Sequence, residues 1–251
     1  MDENALARLQ RIGAWSGVAY LVTLLVGWVL IAGFLPPPSP AEPAARIAAV
    51  FAHDTVRIRI GMVLTMFAAM LMIPVTAAAA KALASVEGGP GVLSYSALLG
   101  GAGNMCLTFY PATFWLWAAY RPDRGDELIY LINDLAWLQF VGGFTIFFGL
   151  PLAMIAAAFM DQRPDPVFPR WTGYLNIWVL VLCLPDQLLF FFHSGPFAWN
   201  GLFALYIPLV AFFAWMSTTV WVLLRAARRT PAPVPAFPVD TRAGISRSSG
   251  S

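Results

Sequence analysis

The sequence predicts an all-α fold: a polytopic membrane helix bundle with six transmembrane helices and a short surface helix after the first span. Three observations carry this. Hydrophobic residues make up 59% of the 251-residue chain and charged residues 11%, against roughly 45–50% and about 25% in soluble domains. Six apolar stretches reach the roughly 20 residues that a helix needs to cross a bilayer core about 30 Å thick. The segments between them are too short to hold a soluble domain. Residues 1–229 therefore read as one transmembrane domain and 230–251 as a disordered cytoplasmic tail, because Pro231, Pro233, Pro235 and Pro238 are followed by Ser, Gly and Arg.

The spans are read at 14–35, 58–84, 93–119, 128–160, 171–193 and 200–224. The first is too long for the apolar core of a signal peptide and follows Asp2 and Glu3, so it reads as a retained anchor. Pro36, Pro37, Pro38 and Pro40 then end the helix, since proline offers no N–H to continue it. From Ser39 or Glu42 a short amphipathic helix is expected on the outer membrane surface, with Ile47, Val50 and Phe51 on its apolar side. In the second span Met62, Met66 and Met70 recur every fourth residue, as ordinary helix packing would have them. Gly100, Gly101 and Gly103 in the third let another helix come close. A straight helix over 128–160 would run about 50 Å, so the fourth span must tilt, protrude or bend near Gly149-Leu150-Pro151.

A net charge of +2 gives a nucleic-acid partner no support. The distribution of cations says more. Arg8, Arg11, Lys81, Arg163, Arg170, Arg225, Arg228, Arg229, Arg242 and Arg247 fall on the side of the termini, and Arg46, Arg57, Arg59, Arg121 and Arg124 on the other. Ten against five places both termini in the cytoplasm. Cys106 and Cys183 lie inside apolar spans and read as small buried hydrophobes. With only His53 and His193 there is no histidine-rich metal site, and neither a metal nor a cofactor is expected. Phosphate-binding loops, zinc-protease helices and nucleophile elbows are missing too.

Ionisable groups inside a span cost at least about 2.5–3.5 kcal/mol at the helix centre, so they face the bundle interior. Asp134 and Asp186 are the two clear cases, each roughly 10 Å below the outer surface at a helical rise of about 1.5 Å per residue. In that geometry Glu127 stacks over Asp134, and His193 over Asp186. Arg57 and Arg59 open the second span on the same side, Tyr130 and Gln187 are neighbours, and Asn200 opens the sixth. Together they outline an outward-facing polar cavity lined by spans two, four, five and six. Two roles compete for the aspartates. Either one pairs with Arg59 as structural glue, or the carboxyls serve as general acid and base with His193 exchanging protons at the wet end. Trp28, Trp115, Trp117, Trp171 and Trp199 read as an interfacial belt. Phe190, Phe191 and Phe192, with Trp137 and Phe197, are placed to wall a site for a flat or isoprenoid-like apolar molecule.

The segment Phe168-Pro169-Arg170-Trp171-Thr172-Gly173-Tyr174-Leu175-Asn176, followed by Gly195-Pro196-Phe197-Ala198-Trp199-Asn200-Gly201, resembles a group of uncharacterised actinobacterial-type six-helix membrane proteins. The resemblance covers about a fifth of the chain, in spans five and six. It implies the fold and a bacterial cytoplasmic-membrane setting, and it brings no activity or catalytic residues.

The leading expectation is a protein in the lipid bilayer whose outer pocket binds a small amphipathic or apolar molecule. Asp134, Asp186 and His193 are its candidate catalytic residues, in the manner of an isomerase or cyclase. Arg57, Arg59, Tyr130, Trp137, Gln187, Phe190 and Asn200 are the candidate ligand-binding residues. The alternatives are a non-catalytic subunit packed against a membrane-protein partner, and a small-solute transporter. Orientation is directly testable by impermeant thiol labelling from outside. A cysteine at Gly125 or Ser194 should react and one at Glu87 or Pro164 should not; the opposite pattern would reverse the topology.

Overall fold

The computed structural model describes residues 3–228, so Arg229 and the tail expected over 230–251 lie outside the described residues. Helix α1 (Glu3–Leu24) widens into a π-helical turn over Leu25–Ile31. After the proline segment come α2 (Ala44–His53), α3 (Thr55–Glu87) and α4 (Val92–Tyr120). The fourth span is α5 (Asp126–Gly142), a 3₁₀ segment (Gly143–Phe147) and α6 (Gly149–Met160). The fifth is α7 (Arg170–Cys183) continued as 3₁₀ helix over Leu184–Phe191. The sixth is a π-helical turn (Leu202–Tyr206) leading into α8 (Ile207–Ala226). Six of these helical units are long and apolar enough to cross a membrane, and no strand occurs among the described residues.

The spans form a ring in which each packs on its neighbours in sequence and the sixth closes on the first. In lipid no hydrophobic force pulls helices together, so close packing and buried hydrogen bonds must. The glycine stripe of α4 serves this packing on two sides. Gly101 abuts the Thr76 side chain of α3, Gly100 abuts the backbone of Gly149 and Leu150, and a Cβ on Gly103 would lie 2.6 Å from the Ile146 carbonyl. Gly27, inside the π-helical turn, and Gly61 on α3 make a second contact of this kind, a Cβ on Gly27 falling 2.7 Å from the Gly61 carbonyl.

Both ends of α4 are capped by α3. Glu87 accepts from the Leu93 and Ser94 N–H groups (2.8 and 2.9 Å), an anion at the positive end of the helix. Sixty residues upstream of the other end, Arg59 donates to the Ala119 carbonyl (3.1 and 2.8 Å) and to that of Tyr120 (3.0 Å). Arg59 therefore meets orphan helix carbonyls and not an intramembrane aspartate, which corrects the expected ion pair.

Three further expectations change. The first span begins eleven residues early, at Glu3, and Gln10 finds a buried acceptor in the Ala78 carbonyl (2.7 Å). Helix α2 turns Ile47, Ala48 and Phe51 onto the bundle against α5, while Val50 is left exposed. Its apolar face is thus spent on protein rather than on the membrane surface. Trp28, Trp115 and Trp199 are buried, leaving only Trp117 and Trp171 of the expected belt exposed.

The connection after α6 is locked by Asp161, whose side chain is almost fully buried. It accepts from Arg163 (2.7 and 2.6 Å) and from the Val167 N–H (2.9 Å). Burial opposes its ionisation, but the hydrogen bonds from the Arg163 side chain, Val167 and the Arg163 backbone, with the Arg163 charge, outweigh that and hold the carboxyl below its usual value. A depressed folded-state pKa stabilises the fold above the unfolded value, about 3.9, and the contribution is lost as pH falls through the lower folded value. Thermal unfolding of wild type should therefore lose this contribution only below about pH 4. Asp161→Asn should be less stable at neutral pH and lack that acid limb; identical profiles would remove Asp161 from the account.

Candidate functional site

The α1–α2 connection folds back over one end of the bundle as a strap. Prolines at 36, 37, 38 and 40 donate nothing, but their carbonyls accept. Trp199 Nε1–H donates to the Pro38 carbonyl (2.9 Å) and Tyr130 O–H to that of Pro40 (3.0 Å). The Trp199 turn is itself tight: Gly195 has φ +81°, and Gly201 N–H donates to the Ala198 carbonyl (2.7 Å). Trp199 thus anchors the strap and not the headgroup region.

Beneath the strap lies a cavity of about 300 Å³. Its walls are apolar, with Phe34, Pro36, Pro37, Ile47 and Phe51 from the strap and α2. Its mouth carries two ion pairs, Arg46–Glu42 at 3.1 Å and Arg57–Asp54 at 3.3 Å. Its inner wall is α5, where Asn133 and Trp137, four residues apart, share one helix face. Both side chains are buried, at 2% and 0% exposure, and among the described residues neither Asn133 Nδ2 nor Trp137 Nε1 has a hydrogen-bond partner.

Behind this wall the aromatic rings stack in depth. Trp137 meets Trp115 and Trp28 edge-on at 5.0 and 5.9 Å, and stacks on Phe34 at 5.9 Å and Trp199 at 6.4 Å. Trp28 Nε1 and Trp115 Nε1 are also without partners among the described residues. Unmet donors in a dry interior carry the full cost of desolvation, about 1–3 kcal/mol each. A second, smaller cavity of about 30 Å³ lies nearer the bundle centre beside Tyr20, Asn104 and Thr108. It has room for water only.

The sequence-derived site divides between places. Trp137 and Arg57 line the strap cavity, and Tyr130 ties the strap down. Asp134 is half-buried on the flank of α5, in electrostatic reach of Tyr130 and His193, and its Oδ1 has no partner among the described residues. Asp186 is fully buried. Its Oδ1 accepts from Gln187 Nε2 (2.6 Å), which donates its other hydrogen to the Gly142 carbonyl (2.9 Å). Neither aspartate forms a salt bridge among the described residues, and neither lines the two cavities above.

His193 does not stack on Asp186. Residues Leu184–Phe191 are 3₁₀, at three residues per turn instead of 3.6, and Phe192 is extended, so the seven-residue phase is lost and His193 is exposed. Phe190, Phe191 and Phe192 are exposed as well, with Phe192 against Phe197 at 5.7 Å, and they do not join Trp137 in a wall. Phe190 covers Gly142, and Asn200 is half-buried in the turn that positions Trp199. Among the described residues no group of three or more His, Cys, Asp or Glu is placed to hold a metal. Asn133 escaped sequence reasoning, although its i,i+4 spacing from Trp137 was a usable signal.

No protein-family model, curated protein or solved structure matches the chain, so the chemistry is read from these residues alone.

The Asp186–Gln187–Gly142 chain gives a sharp expectation. Asp186→Asn keeps an acceptor for Gln187 and removes a buried carboxyl with no cation beside it, so thermal stability in detergent should hold or rise. Gln187→Leu strands the Gly142 carbonyl and should cost about 1–3 kcal/mol. Greater damage from Asp186→Asn than from Gln187→Leu would mean that Asp186 has a charged partner after all.

Proposed function

We propose that this protein is a multi-pass membrane protein that binds a small amphipathic molecule in the cavity beneath its strap. The six apolar spans support the membrane setting. One observation carries the binding reading: the strap covers a cavity of about 300 Å³, large enough for an organic molecule, with apolar and aromatic sides from Phe34, Ile47 and Phe51 and two ion pairs beside them. Such a site supplies contact area from its walls and orientation from a few polar groups.

The cation distribution supports a strap end facing outward, with both termini in the cytoplasm. The likeness of the 168–176 and 195–201 segments to actinobacterial-type membrane proteins supports a bacterial cytoplasmic membrane. The binding reading does not involve Asp134, Asp186 or His193, none of which lines the cavity. Proton transfer by them on a bound molecule is a separate activity that the cavity does not require.

Val50 lines the cavity from α2 and is 43% exposed, so a larger side chain there fills the space without disturbing the core. Native mass spectrometry of wild-type protein purified from the producing membranes should find a retained small molecule, and Val50→Trp should fold equally well without it. Retention of the same molecule by both would place binding elsewhere; bare protein in both preparations would count against a binding function.

A further inference from the structure

Away from the strap cavity, we infer that the groove between the fifth and sixth spans holds one anionic phospholipid, with an acyl chain along the groove and the headgroup at Arg170. The groove has a volume of about 460 Å³, and no charged residue lines it. Leu175, Trp178 and Leu182 follow one stripe of α7, and Val210 and Ala214 face them from α8. Trp178 and Val210 are largely exposed, so the groove is open along its length. The fifth span is also the least covered of the six, with 28% of its apolar stretch buried against 39–50% in the others. In a bilayer a cleft of this kind takes up hydrocarbon, because lipid tails are as apolar as its leucines.

The end nearest the termini selects the headgroup. There the same two faces carry Trp171, one turn beyond Leu175, and Trp221, two turns beyond Ala214, with ring centroids 5.7 Å apart. Tryptophan at a span end marks the headgroup level. Arg225 lies over the Trp221 ring at 5.9 Å and is paired with Asp165. Arg170, next to Trp171, is exposed, and its side chain has no hydrogen bond or ion pair among the described residues; the same holds for Arg228, three residues past Arg225. The acids of the neighbouring connection are already matched, Asp161 with Arg163 and Asp165 with Arg225. Two uncompensated cations at the end of an apolar groove complement a lipid of net negative charge. A zwitterionic lipid brings an ammonium that cancels the gain.

A second copy of the chain would match the hydrocarbon of the groove but not its charge. Copies in one membrane share an orientation, so a neighbour seated here would bring its own Arg170 and Arg228 to the same basic end.

Native mass spectrometry of the delipidated full chain, titrated with phosphatidylglycerol and phosphatidylcholine of identical acyl chains, tests this. One phosphatidylglycerol should be retained, with an apparent affinity about tenfold above that of phosphatidylcholine. Arg170→Gln should shrink that preference to about threefold or less, while Arg121→Gln at the opposite end leaves it unchanged. Val210→Trp, which fills the groove from the exposed face of α8, should abolish retention of both lipids. Val50→Trp should keep the phospholipid while emptying the strap cavity, so the two sites fail separately. Equal affinity of wild type for the two lipids would overturn the inference, and that comparison needs no variant to fold. A dimer that replaces the lipid adducts and is lost in Val210→Trp would give the groove to a second copy. Loss of phosphatidylglycerol from Val50→Trp but not from Val210→Trp would move the lipid beneath the strap.

Discussion

A backbone carbonyl freed inside lipid has no water to turn to, and much of this fold is arranged around that constraint. The fourth span leaves α geometry at Gly142, and the Gly142 carbonyl is met by Gln187 from the facing span. That facing span is itself no longer α-helical at this depth. Asp186, fully buried, holds the Gln187 amide in place by accepting its second hydrogen. Two irregular segments thus satisfy each other, as they must where neither can be solvated. The ends of α4 obey the same rule through Glu87 and Arg59, both supplied by α3.

The constraint also explains where sequence reasoning succeeded and where it failed. Six spans were legible because length and hydropathy alone decide whether a helix can cross a membrane. The bend in the fourth span was legible from its length and Gly149-Leu150-Pro151, and it falls a few residues earlier, at Gly143–Phe147. Side-chain phase failed in the fifth span because it assumed 100° per residue through a 3₁₀ segment. Pro185 stood next to Asp186 as a warning: without an N–H it cannot extend the α-helical ladder, and the 3₁₀ run starts at Leu184. Arg59 was misread for a different reason. A guanidinium at a helix end has two kinds of customer, carboxylates and orphan carbonyls, and only the three-dimensional neighbourhood tells which is nearer.

The candidate site was half legible. Trp137, Tyr130 and Arg57 were singled out, but as parts of a cavity between spans two, four, five and six. The cavity instead lies between α5 and the strap, because the proline segment folds inward and α2 lays Ile47 and Phe51 onto the bundle. An amphipathic helix next to a membrane has two apolar surfaces to choose from, lipid and protein. Its sequence is the same for both. Here the hydrogen bonds to the Pro38 and Pro40 carbonyls tether the strap and decide the matter.

Polar satisfaction finally separates the ordinary interior from the unusual one. Across the bundle, buried groups find partners over long sequence separations: Gln10 with Ala78, Tyr20 with Thr108, Trp215 with Asn176. The buried nitrogen donors without partners among the described residues are Trp28, Trp115, Trp137 and Asn133, and the three indoles are in ring contact with one another through Trp137. Thr76 Oγ1, Asp134 Oδ1 and Asp186 Oδ2 are also without partners among the described residues, so the unmet groups extend beyond that cluster. The rings that pack against the three indoles, Phe34 and Phe140, carry no acceptor oxygen or nitrogen, so ring packing rather than hydrogen bonding holds this part of the interior together.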